Sequence, residues 1–235
     1  MELQKLISQA TDFLLTNPHN KIQPQDAIRE DLVGIQIYDA PIFGVGSAKD
    51  PLFDGLKHPD VIHPDYLVPT QWLDEAKSVI SFFLPFTKKV KDSNGIDFSH
   101  PSDEWLHARI EGEEMLNLLR TFLRDALINE GFPSVAPVLD SRFHMLARFA
   151  SNWSERHTAY ICGLGTFGLS KNLITQKGAA GRIGSVITTH SLPVTPRPYT
   201  SFYEYCNMCG KCSKNCPVNC IDPVSYTHLD VYKRQ

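Results

Sequence analysis

Five of the chain's six cysteines fall within fifteen positions, in the segment CNMCGKCSKNCPVNC from Cys206 to Cys220. Spacers of two, two and three residues separate Cys206, Cys209, Cys212 and Cys216, and Pro217 follows directly. Such spacers crowd several thiols onto one tight loop, so whatever else the chain folds into must carry that loop. In a short secreted chain six cysteines would suggest a disulfide framework. Here there are 235 residues, 42% of them hydrophobic, enough for an independent core. Clustered thiols in such a chain favour metal binding in a reducing compartment.

Charge narrows the partners. A formal net charge of −3 gives no global positive field for nucleic acid or an anionic membrane surface. The N-terminal MELQKLISQATDFLLTN alternates apolar and polar residues at helical spacing, and no apolar run reaches the roughly 18 residues of a membrane span. The chain is therefore read as cytoplasmic, with no membrane partner.

Leu3, Leu6, Ile7, Ala10, Phe13 and Leu14 share one face of a first helix that Asn17-Pro18 ends. The stretch DLVGIQIYDAPIFGVGSAKD is β-rich, AKSVISFFLPF predicts a buried strand stopped by Pro85, and HPDVIHPDYLVP between them is a proline-punctuated loop. From Ser102, a cap, the residues Trp105, Leu106, Ile110, Leu116, Leu119, Phe122, Leu123 and Leu127 predict a long helix that Asn129 and Gly131 stop. KKVKD at Lys88 to Asp92 is expected to be a solvated loop. A glycine-dense region, Gly163 to Gly184, leads through the linker-like LPVTPRPYTSFYEY to the cysteines. Interleaved strands and helices predict an α/β or α+β domain, reductase-like, over residues 1–195, followed by a small ferredoxin-like module over residues 196–222.

The run C-x2-C-x2-C-x3-C-P is that of bacterial ferredoxins that bind [4Fe-4S] clusters, in which the fourth cysteine ligates the other cluster of a pair. Cys206, Cys209, Cys212 and Cys216 are accordingly the candidate metal ligands. The plainer alternatives are a tetrahedral zinc site or free thiols, but no second C-x2-C pair follows, and Cys212 with the Cys-Pro ending exceeds what zinc requires. Cys220 is open between a spare thiol, a stand-in ligand and a packed small residue, and Cys162 reads as a packed apolar residue. A dicluster module needs a second run, which this sequence lacks. The final VSYTHLDVYKRQ resembles translated linker or adapter read-through, so residues 223–235 are expected to be a non-native tail, with the natural protein continuing past about Asp222 into another cysteine run.

GLGTFG at Gly163 to Gly168 matches G-x-G-x-x-G, which raises dinucleotide binding. That fingerprint needs an acidic residue about twenty positions on, and none occurs after Gly168 until Glu204. NAD is excluded on this ground. The glycines still require backbone to pass close to something, a neighbouring element or a bulky cofactor.

SERHTAYICGLGTFGLSKNLIT followed by CNMCGKCSKNCP resembles the epoxyqueuosine reductase family, itself similar to corrinoid reductive dehalogenases, over roughly residue 30 to Pro217. The resemblance implies a reductase that moves electrons from two [4Fe-4S] clusters to base-off cobalamin and on to an epoxide of a modified tRNA nucleoside. A ferredoxin or flavodoxin type of electron donor would feed it, and the substrate would be tRNA or a small electrophile. It also implies that Arg156, Gly163, Gly165, Lys171 and Asn172 are cofactor-binding residues. The family's aspartate, a proposed proton donor shortly before the arginine, is absent: Phe149, Ala150, Ser151 and Asn152 stand there. Asp140 and Glu155 are the substitutes within reach, Asp140 being equally readable as a turn residue and Glu155 as the ordinary ion-pair partner of the adjacent Arg156. His144 and His157 can be read as proton donors or axial ligands, though structural roles are commoner. Trp153 and Tyr160 are read as core. The alternatives from other classes are a ferredoxin-type electron carrier without a substrate and a redox sensor or assembly factor. The size of the preceding domain favours an enzyme.

Overall fold

The structure, a computed structural model, describes residues 2–97, 99–147, 149–216 and 218–221. Helix α1 covers Leu3–Thr16, with Leu6, Ala10 and Leu14 buried, as the helical spacing of its apolar residues requires. Strand β1, Ile42–Ser47, precedes the short helices α2, Pro51–Gly55, and α3, Pro69–Trp72, which flank the proline-rich loop. Strand β2, Ser78–Pro85, is buried at all eight positions and ends at Pro85. The KKVKD segment is not a loop: it forms helix α4, Lys88–Ser93, which buries Val90 and pairs Lys88 with Asp92 one turn on.

Helix α5, Asp103–Asn129, begins where Ser102 Oγ accepts the Trp105 amide at 3.2 Å. Its C-terminal half buries the expected leucines, whereas its N-terminal half departs from the expected face. Ile110 is 66% exposed, and Glu104, His107, Ala108 and Gly112 turn inward instead. The cause is close approach and polar pairing: Tyr38 Oη donates to the Gly112 carbonyl at 2.9 Å, and His107 Nε2 accepts the Ile28 amide at 3.2 Å. No apolar-pattern argument sees either contact.

The chain continues through β3, Ser134–Val135, the ribbon β4, Met145–Ala147, and β5, Ala150–Ser151, and helix α6, Glu155–Ile161. Then come β6, Gly165–Phe167, β7, Leu173–Thr175, β8, Gly181–Thr188, and helix α7, Lys211–Lys214. The main sheet has order β1-β2-β8-β3 and is antiparallel throughout, which makes the domain α+β rather than α/β. Residue alternation divides the core between its faces. Ile80, Phe82 and Leu84 of β2 pack with α1 and α5 on one side. Val79 and Phe83 join Trp72, Trp153 and α6 on the other.

Phe82 lies fully buried at the centre of the first layer. Phe82→Ala should cost about 3–5 kcal/mol in denaturant unfolding, and a loss under about 1 kcal/mol would contradict this packing.

Candidate functional site

Helix α6 and the glycine segment after it build one wall of a cavity of about 790 Å³. Leu116, Val138, Phe143 and Trp153 supply apolar lining. Arg120, Glu155, Arg156, His157, Asn172 and Arg182 supply the polar groups. Its size and mixed lining are those of a small-molecule site. Trp153 is only 1% exposed, stacks on Phe53 and Tyr66, and donates to Ser185 Oγ at 3.0 Å, so one residue serves core and cavity together.

Glu155 does not pair with Arg156. Its carboxylate meets Arg120 at 3.2 Å and accepts from Ser185 Oγ at 2.6 Å. Burial pushes this carboxyl above the ordinary range, against the opposing pull of Arg120 and Ser185. Arg120, 3% exposed at its side chain, also meets Glu113 at 3.2 Å and donates to the Ile183 carbonyl. Arg182 meets the same Glu113 at 2.9 Å. Arg120, Arg182, Glu113 and Ser185 went unsingled in the sequence because α5 and β8 bring them to Glu155 from positions tens of residues away. The only local signal was a charged residue on an otherwise apolar helix face.

Arg156 donates instead to the Lys171 carbonyl at 2.9 Å. His157 Nδ1 lies 2.6 Å from Ser154 Oγ, and burial, with Arg156 adding to it, pushes the imidazole down to about 3. It is therefore neutral near pH 7. Asp140 lies outside the cavity lining, held in a two-pronged pair with Arg142 at 2.8 Å that keeps it below the usual carboxylate range. His144 caps the same turn, 2.8 Å from the Arg142 carbonyl. Lys171, at φ 62, is depressed by partial burial and then by Arg156, and feels Cys220 as an opposing charge.

The glycine motif has no strand-turn-helix geometry: α6 precedes it and β6 and β7 pair as a hairpin, consistent with the exclusion of NAD. A Cβ on Gly165 would stand 2.0 Å from the Ile174 carbonyl oxygen, and one on Gly163, at φ +84, would meet Pro196 at 3.1 Å. Both glycines face protein. Gly165 admits β7, and Gly163 admits the supposed linker, which is a strap. Thr195 N donates to the Val45 carbonyl at 2.8 Å, and Arg197 pairs with Asp50 at 2.8 Å. Tyr199 Oη donates to the Tyr160 carbonyl at 2.5 Å, Phe167 N to the Phe202 carbonyl at 2.7 Å, and Tyr205 N to the buried Thr166 Oγ1 at 2.9 Å. Tyr160, Tyr199, Phe202 and Tyr205 pack ring on ring along it.

Cys206 follows Tyr205 directly. The loop beyond turns through the left-handed region at Met208 (φ 54) and Gly210 (φ 69), then enters α7 with Cys212 on it. Cys216 Sγ lies 3.4 Å from Cys220 Sγ, and the amide of Cys220, then that of Val218, holds Cys216 below its ordinary range. All five thiols are unbridged. Among the described residues no three His, Cys, Asp or Glu side chains converge into a preformed metal site. The donor chemistry, thiols alone, suits iron–sulfur ligation, with the loop closing as metal is bound. Pro217 and the predicted tail lie outside the described residues.

The run belongs to a recognisable domain. Residues 199–222 match the family model of the 4Fe-4S binding domain. No curated protein matches the sequence. Among solved structures, the chain is similar to epoxyqueuosine reductase from Streptococcus thermophilus at 14% identity and a TM-score of 0.49, over 95% of this chain and 54% of that one. It is similar to an epoxyqueuosine reductase with an epoxyqueuosine-modified tRNA-Tyr stem loop at 17% and 0.46, over 90% and 49%. A reductive dehalogenase whose structure suggests a mechanism for B12-dependent dehalogenation matches at 15% and 0.47, over 76% and 23%. The chain spans about half the length of the epoxyqueuosine reductases it matches. Among the described residues no helix is long and apolar enough to cross a membrane.

The partly buried imidazole sets a pH dependence. His157 binds its proton far less readily folded than unfolded, so its contribution to stability is complete above about pH 6.5 and is lost as pH falls toward about 3. Its C2 proton should show no NMR titration between about pH 8 and 5, whereas a midpoint near the ordinary value of about 6.5 would contradict the burial.

Proposed function

We propose that the chain is an iron–sulfur oxidoreductase of the epoxyqueuosine reductase type, acting in the cytoplasm. The observation that carries this is the cysteine run of a 4Fe-4S domain, strapped through Tyr205 to β6 on a chain that also holds a cavity of ligand size. Cys206, Cys209, Cys212 and Cys216 are the iron ligands, and the complete protein holds two clusters. Residues 1–195 form the reductase domain, residues 196–222 the cluster module, and residues 223–235 a non-native tail. When bound, clusters supply single electrons and cobalamin supplies the bond-breaking that side chains cannot.

The chain's own residues bind, orient and move a proton. Arg156 and Asn172 line the cavity and Lys171 adjoins them, while Gly163 acts through the strap it seats and Gly165 through the β6–β7 hairpin it lets close. Neutral His157 offers hydrogen bonding without charge. Of the two acids, Glu155 has the position and the raised affinity for a proton, whereas Asp140 is tied to Arg142 outside the lining. The apolar wall around Trp153 and Phe143 suits a flat macrocycle, which supports cobalamin. The substrate is tRNA or a smaller electrophile.

Anaerobic preparation with iron, sulfide and cobalt measured, and cobalamin added back, tests this. Stoichiometric iron, sulfide and corrinoid uptake is expected, and Cys209→Ser should bleach most of the visible charge-transfer absorbance. A chain with tight clusters that takes up no corrinoid would be an electron carrier. A colourless or zinc-loaded chain would end the iron–sulfur account.

A further inference from the structure

Charge is divided along this chain in a way its net value of −3 conceals. Residues 1–155 carry 14 Lys and Arg against 23 Asp and Glu, whereas residues 156–221 carry 7 against a single acid, Glu204. Two of the seven, Arg182 and Arg197, are neutralised by Glu113 and Asp50. Arg156, Lys171, Lys177, Lys211 and Lys214 are all exposed, and among the described residues none has a carboxylate within ion-pair distance.

Two of them lie within the cysteine run itself. Lys211 and Lys214 bracket Cys212 on α7. Arg156 and Lys171 are joined by a hydrogen bond from the guanidinium to the Lys171 carbonyl at 2.9 Å. The cysteine run thus carries a cationic patch of its own, on a chain whose first 155 residues are acidic.

We propose that this patch is the docking surface for a small acidic electron-carrier protein, which delivers electrons at the cysteine run. The inference rests on the iron–sulfur reading above and names the partner of that site. One electron passes from the reduced carrier to the cluster; the carrier is oxidised, the cluster reduced, and no proton need move. A cationic patch attracts an acidic partner and speeds its encounter by about 10- to 1000-fold at low salt. A nucleic acid fits less well, because a polyanion gains affinity by laying many phosphates along basic surface, and beyond the patch it would meet the acidic body. A compact acidic protein can touch the patch alone.

The test is stopped-flow reduction of the cluster in the full, iron-loaded chain by two donors, an acidic flavodoxin and the cationic radical of methyl viologen. With flavodoxin the wild-type second-order rate should fall at least about tenfold between low and high salt. Lys211→Glu with Lys214→Glu should lose about tenfold at low salt together with most of the salt dependence, while reduction by methyl viologen is not slowed. Should the reversed pair fail to take up iron, the neutral pair Lys211→Gln with Lys214→Gln should show an intermediate loss. Equal flavodoxin rates in wild type and variants overturn the proposal alone. So does saturable binding of a tRNA stem loop that the substitutions abolish while flavodoxin rates stay unchanged, which would assign the patch to nucleic acid. A wild-type chain that methyl viologen cannot reduce defeats the iron–sulfur reading and this proposal with it.

Discussion

The backbone contact between β6 and the strap joins the two halves of this molecule. Phe167 donates to the Phe202 carbonyl on one side, and Thr166, buried, accepts the Tyr205 amide on the other. Gly165 permits β6 to lie this close to Ile174 of β7, since a side chain there would occupy the space of a carbonyl oxygen. The residue after Tyr205 is the first cysteine of the run, so the hydrogen bonds that finish the fold also fix where the thiols begin. Without them the cysteine segment would be a tethered module free to sample many positions. With them it starts from a fixed point on β6.

Around the cavity the charges are arranged so that Glu155, one of two acids lining it, is not free to behave as a surface carboxylate. Glu155 sits between Arg120 and Ser185, themselves fixed by Glu113, Asn117, Trp153 and the Ile183 carbonyl. Burial raises its affinity for a proton while Arg120 opposes, and the neighbouring imidazole of His157 is kept uncharged. Groups whose environments push their proton affinities away from ordinary values collect at functional sites, because building such an environment costs stability that packing must offset.

Much of this was written locally in the sequence. Ser102 as a cap, the leucine spacing of α5 and the apolar burst of β2 all yield to short-range argument, because period and capping chemistry are properties of neighbours. The cysteine spacing is likewise local. What failed to show was tertiary. Ile110 faces solvent because Tyr38 claims the opposite side of α5 at Gly112. The proline-rich linker is ordered because its partners, Val45, Asp50, Tyr160, Thr166 and Phe167, lie tens to about 150 residues upstream. GLGTFG announced a close backbone approach without saying to what, and the answer is the chain itself. The pairing of Glu155 with Arg120 instead of Arg156 has the same origin, since adjacent helical residues point to different faces.

Hydrogen exchange at the amides of Phe167 and Tyr205 measures the strap most directly. Both should exchange at least about a hundredfold more slowly than unstructured amides, in step with the amides of β2. If β2 is protected while Phe167 and Tyr205 exchange freely, the cysteine run is not fastened to β6.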